Sequence, residues 1–298
     1  MIEAKIVADS VGPNDVRITT FVLTYPRFIH SEFMTHRVFS RNASSSRAIP
    51  VKKQIQMVID NPAIPLAFTK NQKGMQGGDA LDGEAHDLAK LAWLNARDMA
   101  VIQARNLENL EVHKQYANRI LEPFAHITVV CTATDYDNFF ALRCHEMAQP
   151  EIHALADLMY DQYITNRPKK LSEGSWHLPF MDNDEDLTET AYYVCESGTT
   201  GRRFFDIAIK RSVARCARVS YLNHEGKKST IEEDLQLYNR LLGGVPIHAS
   251  PAEHQAQALA RWDEGINRPT AFQRSGNLQG WYQYRKTLEN ENVTSFKK

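Results

Sequence analysis

Hydrophobic and polar positions divide the chain into short strands and amphipathic helices. Residues 16–24 (VRITTFVLT) are rich in β-branched side chains and predict a strand. Pro26 suits the first turn of a helix, where its missing N–H costs nothing. Pro26, Ile29, Phe33 and His36 then fall on one stripe at a 3.6-residue period, which predicts a helix to about Phe39 with that stripe buried. Residues 40–50 (SRNASSSRAIP) read as a polar loop, and residues 61–82, dense in Pro, Gly, Asn and Asp, as a long irregular connection. A helix is predicted over 83–109 from Leu88, Leu91, Ala92, Met99, Ile102 and Ala104, and a shorter one over 112–121 closed by Pro123. Residues 126–132 (HITVVCT) predict a buried strand. Helices follow at 135–145 and 149–165, the second with Pro150 in its first turn; 167–188 reads as loop, and further helices are expected at 205–218, 229–243, 251–262 and 277–288. No repeat, low-complexity tract or linker divides the chain, so 1–298 is expected to form a single domain of the α+β class, helices packed on a small mixed or antiparallel sheet.

Composition narrows the function classes. Hydrophobic residues make up 43% and charged residues 24%, which supports a packed core and excludes wholesale disorder. A net charge of −1 gives no global drive toward nucleic acid or membrane. The four cysteines (Cys131, Cys144, Cys195, Cys216) form no CxxC pair, which speaks against a zinc ribbon or a dithiol redox site. The N-terminal MIEAKIVADS lacks a signal peptide's apolar core, and no apolar run nears the roughly 18 residues of a membrane span. A soluble cytoplasmic protein is expected.

Three polar constellations carry candidate chemistry. The first is Thr35-His36-Arg37, Ser40-Arg41-Asn42 and Ser44-Ser45-Ser46-Arg47. Hydroxyls, turn N–H groups and forked guanidinium donors in one stretch suit a phosphate or pyrophosphate, although a Ser-rich loop beside a solvated basic helix end accounts for the same pattern. The second runs from Thr132 to Ile152. Asn138 and Arg143 are five residues apart, diverge by roughly 140° on a helix and can face two neighbouring ligands; an ordinary amphipathic helix with an ion-paired arginine is the bland alternative. The third, His248-Ala-Ser250-Pro251-Ala-Glu253-His254, matches no metal-ligand spacing and reads as a helix start, with Ser250 as cap, Pro251 at N1 and Glu253 at N3. No metal site is expected. Neither GxxxxGK[ST] nor GxGxxG occurs, and Cys144 beside Arg143 reads as an inert helix cysteine.

Together these segments resemble the flavin-dependent thymidylate synthase family. Its hallmark, RHRxxSxNExSxRY, stands here as Thr35-His36-Arg37-x-x-Ser40-x-Asn42-Ala43-x-Ser45-x-Arg47-Ala48, and Arg119-x-x-x-Pro123 and Asn138 to Ile152 resemble two further blocks. An AARVSY-like helix (Cys216 to Tyr221) and the HxSPFEH-like turn at 248–254 stand near the C-terminus, whereas the family places both before the hallmark; a circular permutation is inferred, with 212–255 as the usual N-terminal part.

The resemblance implies a thymidylate synthase-complementing-protein-like fold and a homotetramer that binds FAD. It implies transfer of a one-carbon unit from methylenetetrahydrofolate to C5 of dUMP to form dTMP, with NADPH as reductant. Carried over by position, Thr35, His36, Arg37, Thr132, Asn138 and Ser250 would line FAD, and Glu32, Ser45, Arg47, Arg119 and Arg143 would contact the nucleotide. Arg143 would be catalytic, favouring ionisation of the pyrimidine ring. Thr35, Ala43 and Ala48 replace the hallmark's first arginine, glutamate and tyrosine, and Met147 stands in a histidine place. Glu32 replaces a glutamine and can accept from an exocyclic amine, which opens dCMP as substrate and hydroxymethylation as a related outcome. The rivals are a nucleic-acid-binding module built on Arg37, Arg41, Arg47, Lys52 and Lys53, and a catalytically dead paralogue that keeps the tetrameric scaffold.

Overall fold

The computed structural model describes residues 1–181, 184–196, 201–219, 228–244, 246–260 and 275–292. Strands β1 (Glu3–Val11) and β2 (Arg17–Pro26) form an antiparallel hairpin. A 3-10 turn leads into the single-turn helix α1 (His30–Phe33), then β3 (Ser40–Ala43), α2 (Val51–Asp60), α3 (Gly83–Asn109) and α4 (Lys114–Ala117). Strand β4 (His126–Ala133) is followed by α5 (Asp137–Arg143), α6 (Pro150–Thr165) and the two-residue strands β5 (Lys169–Lys170) and β6 (Trp176–His177). The remainder comprises α7 (Asp184–Glu196), α8 (Gly201–Arg218), α9 (Ile231–Leu242), β7 (Ala256–Ala258) and β8 (Trp281–Gln283).

One sheet has the order β3-β4-β2-β1-β5, antiparallel except for the β1–β5 pair, and a second is antiparallel β6-β7-β8. The α+β expectation therefore holds. Side chains alternate across a strand, so the register Phe21↔Cys131, Leu23↔Val129 and Tyr25↔Ile127 puts six apolar groups on one face. Helix α6 docks there through Ile152, Leu155, Ala156 and Met159, and α5 through Phe139 and Phe140. Each fully buried Leu, Ile or Met contributes about 1.5–3 kcal/mol, which outweighs local propensity in fixing α6. The opposite face carries Val22 and Val130 under Cys216 and Val219 from the end of α8. Burial on both sides explains why β2 and β4 read as nearly continuous β-branched runs.

Helix α3 is apolar on two sides. Trp93, Ala100, Val101, Ala104 and Leu107 belong to the cluster shared with α2 and the 118–124 turn. Leu88, Leu91, Met99 and Ile102 are exposed and lie within a sector of roughly 80° on the other side.

Several boundaries differ from the sequence-based expectation. The helix expected from Pro26 to Phe39 shrinks to the 3-10 turn Arg27–Ile29 plus α1, because Ser40–Ala43 pairs with β4 and draws the chain into the sheet; Ile29, Phe33 and His36 are nonetheless buried. The 112–121 helix is α4 running into a 3-10 segment, Asn118–Phe124, that contains Pro123. Part of the loop expected at 167–188 supplies β5 and β6. The 251–262 helix is a 3-10 turn (Ser250–Glu253) followed by β7, with residues 261 and 262 outside the described residues. Ser250 does not cap; its hydroxyl bonds to Asn42 instead. The 277–288 helix is β8 and a 3-10 turn: Gly280 adopts φ +75°, and a Cβ there would lie 3.0 Å from Val16. Strand β1, not anticipated, is visible afterwards in the alternation Ile2, Ala4, Ile6, whose side chains pack on the main core.

Candidate functional site

The corner between α1 and β3 gathers three charged or polar groups against aromatic walls. His36 stacks on Phe39 with ring centroids 5.8 Å apart and meets the edge of Phe139 at 4.9 Å. Arg143, the last residue of α5, donates its Nε–H to His36 Nε2 at 3.0 Å, and its Nη1 lies 3.8 Å from Glu32 Oε2. A guanidinium only donates, so His36 Nε2 is the bare nitrogen of a neutral ring. Burial, reinforced by the charges of Arg143 and Arg41, pushes the His36 pKa down to about 4. Arg143 is thus oriented by a neutral partner. Its side chain and that of Glu32 remain 22% and 39% exposed, and 3.8 Å is too long for a hydrogen bond, so the Nη edge is open to a planar ligand.

Around this core, Thr35 is exposed and donates its hydroxyl to the Glu32 carbonyl at 2.7 Å, closing the end of α1. Arg37 and Asn138 are exposed, Asn138 immediately before the Phe139 that walls His36. Among the described residues no hydrogen bond or ion pair ties Arg37, Arg47 or Asn138 into the group.

The 44–48 loop is pegged from below. Buried Asn118 donates to the carbonyls of Ser46 and Ile49 at 2.7 and 2.9 Å. Ser46 donates its hydroxyl to Glu122 at 2.7 Å; the same carboxylate pairs with Arg27 and with Arg119, each at 3.0 Å. Arg47 is left exposed and Ser45 half-buried on a fixed turn. Arg119 therefore reaches this loop through Glu122.

The C-terminal half reaches the same strand. Buried Asn42 of β3 donates to the Cys216 carbonyl at 2.8 Å, and Ser250 donates its hydroxyl to Asn42 Oδ1 at 3.1 Å. Ser220 and Tyr221 of the AARVSY-like segment lie outside the described residues. Asn277 clamps the corner by donating to the Val38 carbonyl at 2.7 Å and accepting from Ser40 at 2.9 Å. Thr132 is fully buried, its hydroxyl 2.7 Å from Thr20 and 2.9 Å from His254 Nδ1. His177, Asn277 and Glu122 were not singled out from sequence, and His254 stood out only as part of the 248–254 turn. His177 sits on a two-residue strand within an apparent loop, which left no periodic signal.

Cys131 and Cys144 are not activated nucleophiles: burial raises Cys131 to about 12 and Cys144 to about 11, the latter with help from Asp157. Among the described residues no cluster of metal-ligating side chains is present, and no helix is long and apolar enough to cross a membrane.

The neutral histidines give stability a pH dependence. Burial lowers His30, His36 and His126 to about 4, and His177 and His254 to about 3, from an ordinary 6.5. Between those values and 6.5 the unfolded chain binds more protons, so stability is complete above pH 6.5 and declines as pH falls. The melting temperature is expected to drop steadily from pH 6.5 to 4.5; a flat profile over that window contradicts the burial of these rings.

This α+β scaffold, with an arginine, a neutral imidazole and a carboxylate at a strand corner, has a recognisable lineage. Residues 14–169, slightly more than half the chain, match the family model for the thymidylate synthase complementing protein, and the chain belongs to that family. That match contains the Glu32, His36 and Arg143 cluster and not Cys216, Ser250 or His254. Among solved structures, the UMP/dUMP methylase PolB from Streptomyces cacaoi bound with 5-Br dUMP is similar at 17% identity and a TM-score of 0.46, over 55% of this chain and 90% of that one. The same methylase bound with 5-Br UMP aligns at 15% identity and a TM-score of 0.45, over 55% and 89%. No curated protein matches the sequence.

Proposed function

We propose that this protein is an FAD-dependent enzyme that transfers a one-carbon unit from methylenetetrahydrofolate to C5 of dUMP, forming dTMP, with NADPH as reductant. The observation that carries this reading is Arg143 held by neutral His36 with its Nη edge open. Uracil C5 is a weak carbon nucleophile until the ring gains electron density. A fixed guanidinium beside N3 and its flanking carbonyls favours loss of the N3 proton and stabilises the ring anion, in a site walled by Phe39 and Phe139. No thiolate addition is needed, in keeping with the raised cysteines.

The residues present fit FAD by their donor set. Arg37 is a permanent cation that suits a pyrophosphate; Thr35, Asn138 and Ser250 are exposed polar groups; His254 Nε2 is a buried nitrogen without a partner among the described residues. Bound in reduced form, the flavin supplies the two electrons that complete reduction of the transferred carbon. Arg47, Arg119 and Ser45 would hold the nucleotide phosphate, and Glu32 would meet the base. Residues 212–255 would be the family's usual N-terminal part displaced by circular permutation, a reading supported by the arrival of Cys216 and Ser250 on Asn42.

A second reading, C5 modification such as hydroxymethylation of dUMP or dCMP, is favoured by Glu32, whose carboxylate accepts a hydrogen bond from an amino group. The nucleic-acid module is disfavoured by the net charge of −1, and Arg41, one of its five cations, is tied to the Met34 carbonyl at 2.8 Å. The exposed apolar stripe of α3 supports a homo-oligomer, proposed as a tetramer. Leu91→Glu places a charge in that stripe and is expected to lower the native mass measured by light scattering; an unchanged mass contradicts α3 as an assembly face.

Flavin dependence is tested by the visible spectrum of the purified protein before and after adding FAD. The expected result is retained or readily acquired flavin absorbance. Colourless protein that takes up no FAD overturns the reading.

A further inference from the structure

Five side chains from separate stretches form one continuous chain of hydrogen bonds through the protein interior. Ser10 Oγ of β1 lies 2.9 Å from His177 Nδ1 of β6, and His177 Nε2 lies 2.8 Å from Thr20 Oγ1 of β2. Thr20 Oγ1 is 2.7 Å from Thr132 Oγ1 of β4, which is 2.9 Å from His254 Nδ1. None of the five is more than 3% exposed. At the far end, His254 Nε2 is buried with no hydrogen-bond partner among the described residues.

Each hydroxyl can donate one hydrogen along the chain, and each neutral imidazole has one N–H and one bare nitrogen. Burial keeps both rings neutral, with Asp9 opposing this only weakly at His177. Asp9 itself is already engaged by Arg17, Thr19 and Asn166. Two arrangements then satisfy every link and use every hydrogen. If Ser10 donates to His177 Nδ1, His177 carries its proton on Nε2, Thr20 donates to Thr132, Thr132 donates to His254 Nδ1, and His254 presents Nε2–H. If the direction reverses, both rings carry the proton on Nδ1 and His254 presents a bare Nε2. A mixed arrangement sets two hydrogens or two lone pairs against each other at one link, or leaves a buried hydrogen unused.

We propose that His177 is a positioning residue which, acting through Thr20 and Thr132, sets whether His254 offers a donor or an acceptor at Nε2, the two rings always sharing one tautomer. The two arrangements differ by one proton moved at each link, together with one taken up at Ser10 and one released from His254 Nε2, so inversion is coupled to proton exchange at both ends of the chain. What Nε2 meets rests on the function proposed above: the matching partner is a planar heterocycle bearing both N–H and carbonyl groups, as a flavin does, placed beside the turn that carries Ser250.

The test is long-range 1H–15N spectroscopy of the full chain labelled with 15N-histidine at pH 7, for the unsubstituted protein, Thr20→Val and Thr20→Ser, with His177→Phe used for assignment. The expected result is His177 and His254 both protonated on Nε2 or both on Nδ1, preserved in Thr20→Ser. In Thr20→Val the His254 signals should move toward values averaged over two tautomers. Opposite tautomers in the unsubstituted protein, an imidazolium at either ring, or an unchanged His254 spectrum in Thr20→Val overturns the proposal. Should Thr20→Val fail to fold, the tautomers of the unsubstituted protein decide alone. Matched tautomers in a protein that takes up no FAD keep the relay and remove only the flavin reading.

Discussion

Replacing Arg143 with alanine is expected to lower turnover by about 10²–10³-fold, the usual cost of removing one preorganised donor from a developing anion. The guanidinium is the group fixed at the corner by His36 with an edge left open, so its loss should reduce kcat and kcat/KM together, the signature of an interaction made in the transition state. Lysine should recover little. An ammonium cannot donate to His36 and still present a planar fork to the ring. Arg143 ends a short helix and is partly exposed, so far-ultraviolet circular dichroism should be unchanged, which separates lost chemistry from lost fold. Full turnover in a folded Arg143→Ala protein contradicts the assigned mechanism.

The largest effect on stability is expected at Asp234. This fully buried carboxylate of α9 meets Arg211, Arg215 and Arg218 of α8 at 3.6, 3.4 and 3.0 Å and accepts a hydrogen bond from Ser229 at 2.7 Å. The three arginines recur at i, i+4 and i+7 and so share one face. Asp186 of α7 serves Arg215 from the other side at 2.8 Å. Burial alone raises the Asp186 carboxyl, but hydrogen bonds from Arg215 and Lys228 override it and hold the group at about 2. Asp234→Ala removes a buried carboxylate shared by the fully buried Arg211 and the largely buried Arg215 and Arg218, a change that costs about 3–5 kcal/mol. For a chain of this size, with an unfolding entropy of about 0.6 kcal/mol/K, the melting temperature should fall by roughly 5–8 °C. Because α8 delivers the Cys216 carbonyl to Asn42, the same variant should loosen β3 and weaken ligand binding. A melting temperature within a degree of the unsubstituted protein contradicts this network as a structural element.

The parts of the fold legible in the sequence are those in which one local pattern dominates. Helix α3 matches its expected limits because twenty-odd residues of helix formers run unbroken, and β4 is recognisable because its β-branched run is buried on both faces. The 26–39 segment misled because its 3.6-residue stripe is real and buried, while the backbone after Phe33 obeys a tertiary demand, pairing with β4. Residues 277–288 misled in a similar way: Gly280 at positive φ breaks the expected helix, and Trp281–Gln283 pairs into the second sheet. At the site, His36 and Arg143 stood out through their motifs and do meet. Glu122, His177 and Asn277 act through partners distant in the chain, and such contacts leave no trace in residue spacing.

The central claim is that a pyrimidine nucleotide sits against Arg143 and is activated at C5. Release of tritium from C5-labelled dUMP and, in parallel, C5-labelled dCMP tests it directly, with FAD, NADPH and methylenetetrahydrofolate supplied to the purified protein. The account predicts tritium release from dUMP that is lost in Arg143→Ala. Release from dCMP alone would replace dUMP as substrate, and no release from either nucleotide by a flavin-loaded protein would contradict the account.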